Sequence, residues 1–129
     1  MKISFVVPVY NEESGIKKFH ESLVESIKLL GINHEIIYIN DGSSDNSLAE
    51  LHDISKTDKD VKILSFSRNF GKEAALSAGY EASKGDVAIS MDSDGQHPPE
   101  YIGRFIDEWK KGSRVVVGIR NNKTSGLLK

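Results

Sequence analysis

The sequence predicts an α/β fold: a mostly parallel sheet with helices on both faces. Three observations support this. Short, dense apolar runs alternate with stretches whose apolar residues recur at steps of three and four, the signatures of buried strands and of one-sided helices. The alternation is strict from end to end, which is the pattern of parallel strands joined by crossover helices. The residues with chemical capacity collect just after the strands, where open parallel sheets bind ligands.

The elements follow in order. Ile3-Ser4-Phe5-Val6-Val7-Pro8-Val9 reads as a first strand. Ile16, Phe19, Leu23, Ile27 and Leu30 then form one apolar stripe on a helix that Gly31 can close. Glu35-Ile36-Ile37-Tyr38-Ile39 is a second strand, ended by the turn residues Asn40-Asp41-Gly42-Ser43. Leu48, Leu51 and Ile54 mark a second helix, for which Ser44 or Asp45 is a suitable cap. Val61 to Phe66 is the third strand, and the alanine-rich stretch Lys72 to Ser83 the third helix. Gly79 inside that helix predicts close packing on the sheet. Asp86 to Met91 is strand four, Pro98-Pro99 opens a fourth helix, and Arg114 to Ile119 is strand five. The residues after Arg120 begin another element and stop, so residues 1–129 read as one domain that is incomplete at its C-terminal end.

Composition narrows the function. A chain of 129 residues fits one domain. With 38% hydrophobic and 28% charged residues, it is neither disordered nor an integral membrane protein. No apolar stretch approaches the roughly 18–20 residues of a membrane span, and no signal-peptide pattern is present. The formal charge of −2 argues against a nucleic-acid partner, which favours a basic surface. The absence of cysteine excludes disulfide scaffolds, thiolate metal sites and cysteine nucleophiles, and fits a cytoplasmic location.

The strand ends carry the chemistry. Asp92 and Asp94 lie two apart in an extended segment, so both carboxylates can face one point. Two adjacent anions need a compensating cation, and Mg²⁺ or Mn²⁺ with oxygen ligands is the natural one, with Gln96 able to add an amide oxygen. Asp41 can read a hydrogen-bond donor such as a ribose hydroxyl or a base N–H. Tyr10, beside Pro8 and next to Asn11-Glu12, can offer a flat face to a nucleobase. Arg68, Lys72 and Arg120 can neutralise phosphates. His20, His34, His52 and His97 show no metal-binding pair, and Lys56-Thr57-Asp58-Lys59-Asp60 reads as a solvated loop. Dinucleotide, P-loop and nucleophile-elbow patterns are absent.

The ordered set Pro8-Val9-Tyr10-Asn11-Glu12, Asp41-Gly42-Ser43-Ser44-Asp45 and Asp92-Ser93-Asp94 resembles the family 2 glycosyltransferases, inverting enzymes with the Rossmann-like GT-A fold. Ser67-Arg68-Asn69-Phe70-Gly71-Lys72-Glu73-Ala74-Ala75-Leu76, then Gly85-Asp86 and Gln96-His97-Pro98-Pro99-Glu100, resemble the branch that loads sugars onto polyprenyl phosphates. The resemblance covers residues 3–120. It implies that Pro8, Tyr10 and Glu12 line the nucleotide site and that Ile39 and Asp41 contact base or ribose. It also implies that Asp92, Ser93 and Asp94 meet ribose, diphosphate and metal, with Asp94 central to catalysis. Gln96 is implied as a further metal ligand and Arg120 as a diphosphate contact. Asn40 stands where the family often has Asp, and Gly95 where Leu is usual. The implied donor is a UDP-sugar or GDP-mannose, the acceptor a lipid phosphate, and the place the cytoplasmic face of a membrane. A non-catalytic nucleotide-sugar-binding module, or an enzyme acting on a glycan hydroxyl, are the alternatives. A missing acceptor segment also implies an exposed apolar patch and self-association.

Overall fold

The computed structural model describes residues 1–94, 99–111 and 117–119. Five parallel strands form one sheet in the order β3-β2-β1-β4-β5: β1 (Lys2–Val9), β2 (Asn33–Asn40), β3 (Val61–Ser65), β4 (Val87–Met91) and β5 (Val117–Ile119). Four helices connect them: α1 (Ile16–Leu30), α2 (Ser47–Thr57), α3 (Lys72–Ala82) and α4 (Pro99–Lys110). The N-terminal part of the expected fifth strand and Pro98 lie outside the described residues.

The alternation of side chains along each strand sorts the core into two layers. Phe5, Val7 and Val9 of β1, with Ile36 and Tyr38 of β2, pack beneath α1, α2 and α4 through Phe19, Leu23, Leu51, Ile102 and Phe105. Val6, Ile37 and Ile39 face the other way, against Ala75 of α3. The chain thus steps outward from β1 to β3 with its helices on one face. It returns through α3 on the opposite face to lay β4 along the free side of β1, as right-handed crossovers require when the direction reverses. Helices on both faces are therefore observed, with α3 alone on its side among the contacts of β1 to β3.

Two glycines permit this packing. A Cβ on Gly79 would stand 2.4 Å from Val6 Cγ1 and 2.8 Å from Ile39 Cδ1, so the sequence expectation of a close helix–sheet approach holds. Gly31 ends α1 in the left-handed conformation, with φ 64°.

Near the amino ends of the strands, Glu35 is buried. It accepts hydrogen bonds from Ser4 Oγ and the Lys84 N–H, both at 2.6 Å, and pairs with Lys62 Nζ at 2.8 Å. Burial alone would raise its pKa, but the bonds from Lys62, Ser4 and Lys84 prevail and bring it to about 2.

In the 56–60 stretch, where Lys56 and Thr57 close α2, Lys56, Thr57, Lys59 and Asp60 are exposed and Asp58 departs from the solvated reading. Asp58 Oδ2 lies 3.0 Å from Nε2 of buried His20, whose Nδ1 meets the Tyr38 hydroxyl at 2.7 Å. Burial lowers the His20 pKa in spite of Asp58. Among the described residues, no helix is long and apolar enough to cross a membrane.

Candidate donor-binding cleft

Because β1 lies between β2 and β4, the strand order reverses at β1, and the loops leaving β1 and β4 splay apart. That is the place where a doubly wound sheet opens a crevice. A cleft of about 210 Å³ lies there, walled by Pro8, Val9, Tyr10 and Glu12 after β1, Asp41 after β2, Lys72 at the start of α3, and Asp92, Ser93 and Asp94 after β4.

The wall after β1 is held by the loop after β2. Asn11 takes the left-handed conformation (φ 52°), which Asn tolerates better than most residues. Its Oδ1 accepts from the Ser44 N–H at 2.8 Å, and its own N–H donates to Ser43 Oγ at 3.0 Å. The Glu12 N–H donates to Ser47 Oγ at 2.7 Å, and the Glu13 N–H to Asp45 Oδ2 at 3.2 Å. Asp45 Oδ1 also accepts from the Ser47 N–H and hydroxyl, at 2.9 and 2.6 Å. The expected helix cap is therefore a bridge between two loops, and α2 itself begins at Ser47. Burial opposes ionisation of Asp45, but the bonds from Ser47 and Glu13 outweigh it and hold its pKa below the usual aspartate value.

Asn40 fits its place by being an amide. Its Nδ2 donates to Ser65 Oγ at 3.1 Å while its Oδ1 accepts from the Ser43 N–H at 3.3 Å, a pair of roles no carboxylate can fill.

Asp41 is buried. Its carboxylate accepts from the Phe70 N–H at 2.8 Å, the Gly71 N–H at 3.1 Å and Asn69 Nδ2 at 3.1 Å. It touches the cleft, but its hydrogen-bonding capacity is spent on the loop that leads into α3. Gly42 presses against the same loop: a Cβ there would stand 2.1 Å from the Arg68 carbonyl carbon, and its φ is +67°. Ile39 is fully buried against α3, with its side chain among the core residues rather than on the cleft wall.

The electrostatics of the cleft are unbalanced. Besides Asp41, whose oxygens are taken by the 69–71 loop, Glu12, Asp92 and Asp94 bring three more carboxylates to the opening. Burial, with Asp94 and Asp45 nearby, raises the Glu12 pKa. Lys72 Nζ pairs with Asp92 Oδ1. Arg68, read from sequence as a phosphate-neutralising candidate, instead lies over the Phe70 ring at 4.7 Å. Tyr10 is half exposed at the cleft mouth, as a stacking face requires. Gln96 and Arg120 lie outside the described residues.

Among the described residues, no three His, Asp or Glu side chains stand together as a metal cage. Two carboxylates on an open cleft, one already drawing an ammonium, fit a hard cation of the kind that completes its shell with water and phosphate oxygens.

The sequence profile described as Glycosyl transferase family 2 matches residues 4–128. The chain belongs to that family. Among its relatives, the bactoprenol glucosyl transferase of Shigella phage SfX is 44% identical over 130 residues, which cover 100% of this chain and 43% of the relative. The chain spans about two-fifths of the length of the curated relatives it matches. In three dimensions this family 2 chain superposes on S. aureus TarS 1-349 in complex with UDP-GlcNAc with a TM-score of 0.69 at 21% identity, over 86% of this chain and 32% of that one. Glucosyl-3-phosphoglycerate synthase from Mycobacterium tuberculosis, in complex with Mn²⁺, UDP and phosphoglyceric acid, gives a TM-score of 0.60 at 27% identity, over 84% of this chain and 38% of that one. The fold is the GT-A fold of these glycosyltransferases.

Sequence reasoning found Pro8, Tyr10, Glu12, Asp41, Asp92, Ser93 and Asp94, all of which the fold brings to one cleft. It missed the Asn11–Ser44 and Glu12–Ser47 clamps, whose only signal was a Ser-rich turn facing an Asn after a strand. It named Lys72 as a phosphate-neutralising candidate but gave no sign of its pairing with Asp92.

Proposed function

We propose that this chain is the donor-binding part of an inverting glycosyltransferase that moves a hexose from a UDP-sugar or GDP-mannose to a polyprenyl phosphate. The observation that carries the reading is the joint presence of Asp92 and Asp94 with Tyr10 and Glu12 at the switch point of the sheet. The bactoprenol glucosyl transferase relatives support the choice of acceptor.

In this reading Asp92 and Asp94, with Gln96, hold Mg²⁺ or Mn²⁺, which as a Lewis acid stabilises the departing diphosphate. The Tyr10 ring stacks on the base, Glu12 and Ser93 border the sugar–diphosphate, and Arg120 meets its charge. A lipid-phosphate oxygen is already anionic near neutral pH, so attack on the anomeric carbon needs no general base. A sugar hydroxyl acceptor would need one. The reading places the reaction at the cytoplasmic face of a membrane, where a nucleotide sugar and a lipid phosphate meet.

The test is calorimetric titration of UDP and GDP with Mn²⁺ and again with excess chelator. Binding that requires the cation is expected. Equal affinity in both conditions would remove the metal from the site.

A further inference from the structure

Among the described residues, Lys72 is the one ammonium on the wall of the cleft, and it closes on Asp92 rather than standing free in water. Its backbone has little freedom. The Asp41 carboxylate ties down the two residues before it, through the N–H groups of Phe70 and Gly71. Gly42 packs directly on Arg68 and Asn69. These bonds take the N–H groups of Phe70 and Gly71, immediately ahead of the first turn of α3. The Lys72 stem, by contrast, is free to move: the side chain is 48% exposed, against 20% for Asp92. A flexible four-carbon stem on a fixed Cα lets Nζ change partners without moving the fold.

A monovalent cation therefore sits on a carboxylate that the donor-site reading assigns to a divalent one. Both cannot draw on the same Asp92 oxygen at full strength. An incoming diphosphate brings two or more negative charges to the same opening, and these give the displaced ammonium a new partner.

We propose that Lys72 is a resident counter-ion of the cleft. It holds Asp92 while the donor is absent, yields that carboxylate to the divalent cation, and turns to the diphosphate when the nucleotide arrives. Asp41 is the positioning residue that sets the Lys72 backbone within reach of both. The inference rests on the donor-site reading and adds to it a residue that acts in opposite directions on its two ligands.

That opposition supplies the test. In the full chain, Lys72→Met removes a competitor of the metal, so Mn²⁺ alone binds about threefold or more tighter, read from the loss of the free-ion electron paramagnetic resonance signal. At saturating Mn²⁺ the same variant binds UDP or GDP about tenfold more weakly by calorimetry, because the diphosphate loses a charged partner. Lys72→Arg keeps the charge and stays close to the parent protein in both measurements. Circular dichroism of both variants checks the fold, and Lys72→Gln repeats the test with a polar side chain. A Lys72→Met protein, folded, that weakens both ligands or leaves both unchanged overturns the counter-ion. If the parent chain binds neither nucleotide with Mn²⁺, the donor-site reading falls and the counter-ion with it. If the parent binds and the split is absent, only the counter-ion falls.

Discussion

Near the amino ends of the strands, one buried carboxylate receives an ammonium, a hydroxyl and a backbone N–H. At the carboxyl ends, with Asp41 set aside, Glu12, Asp92 and Asp94 border a cleft with one ammonium among the described residues, which is paired with Asp92. Glu35 is held at a pKa of about 2 by its partners, whereas burial and the neighbouring Asp94 and Asp45 push Glu12 upward. The same side-chain chemistry thus serves two ends of one sheet differently. Where one oxygen takes two hydrogen bonds and the other an ion pair, the carboxylate ties β1, β2, β3 and the turn before β4 together. Where carboxylates outnumber their partners, the protein stores an electrostatic debt that a cationic ligand can relieve.

This contrast can be broken most severely at Glu35. Glu35→Ala leaves the Ser4 hydroxyl, the Lys84 N–H and Lys62 without their acceptor, and should lower the unfolding free energy by about 2–3 kcal/mol in urea titrations. Nucleotide affinity of the folded protein should not change. A matching loss of affinity would show that the two ends are not independent.

Acid sharpens the same difference. A carboxyl whose folded pKa is depressed contributes its stability above the unfolded value near 4.5 and loses it as pH falls toward 2. His20, whose pKa burial lowers, stays neutral in the fold while the unfolded chain takes up a proton, so stability already begins to fall below about pH 6.5. Urea midpoints measured from pH 7 to 2 should decline in those two stages. In Glu35→Gln the lower stage should flatten.

At the cleft, Asp94→Asn should weaken Mn²⁺-dependent nucleotide binding about tenfold with little change in thermal midpoint. Asp45→Asn should change binding far less, because Asp45 spends its oxygens on Ser47 and Glu13. Equal losses would move the site toward the β2 loop.

The smallest effect is the most diagnostic in sign. Glu12 has its pKa raised, so its charge costs stability at neutral pH. Glu12→Gln should stabilise the ligand-free protein by roughly 0.5 kcal/mol while weakening nucleotide binding. A destabilised Glu12→Gln would place this carboxylate with Glu35 instead.

Much of this was readable from residue order, because strands and one-sided helices announce themselves through spacing. The dense apolar run from Ile3 to Val9 marked a buried strand, and Gly79 told where a helix would touch. The cleft was readable because its residues cluster after strands. Pairings across long separations were not. Nothing beside Glu35 in sequence shows that it meets Lys84, and nothing near Asp41 shows that its carboxylate turns to Phe70 and Gly71 rather than outward. Asp58 looked like an ordinary loop residue because His20 lies on another element. Spacing describes a segment's own periodicity, whereas these partners are chosen by the topology that sets segments side by side.

The central place of β1 has a further consequence, for the order of events in folding. Lys2 meets Asp86, 84 residues away, through a backbone N–H bond to the carboxylate, and Ile3 pairs with Val87. Loop-closure entropy makes such a contact slow to form compared with the neighbouring β1–α1–β2 unit. On a ribosome adding about 5–20 residues per second, β1 waits several seconds before β4 exists to pair with it. Until then Val6 and its neighbours show an unpaired edge, and Tyr10 and Glu12 have no opposite wall. The cleft thus assembles only after β4 is made, and a bound nucleotide would report that β4 has paired with β1.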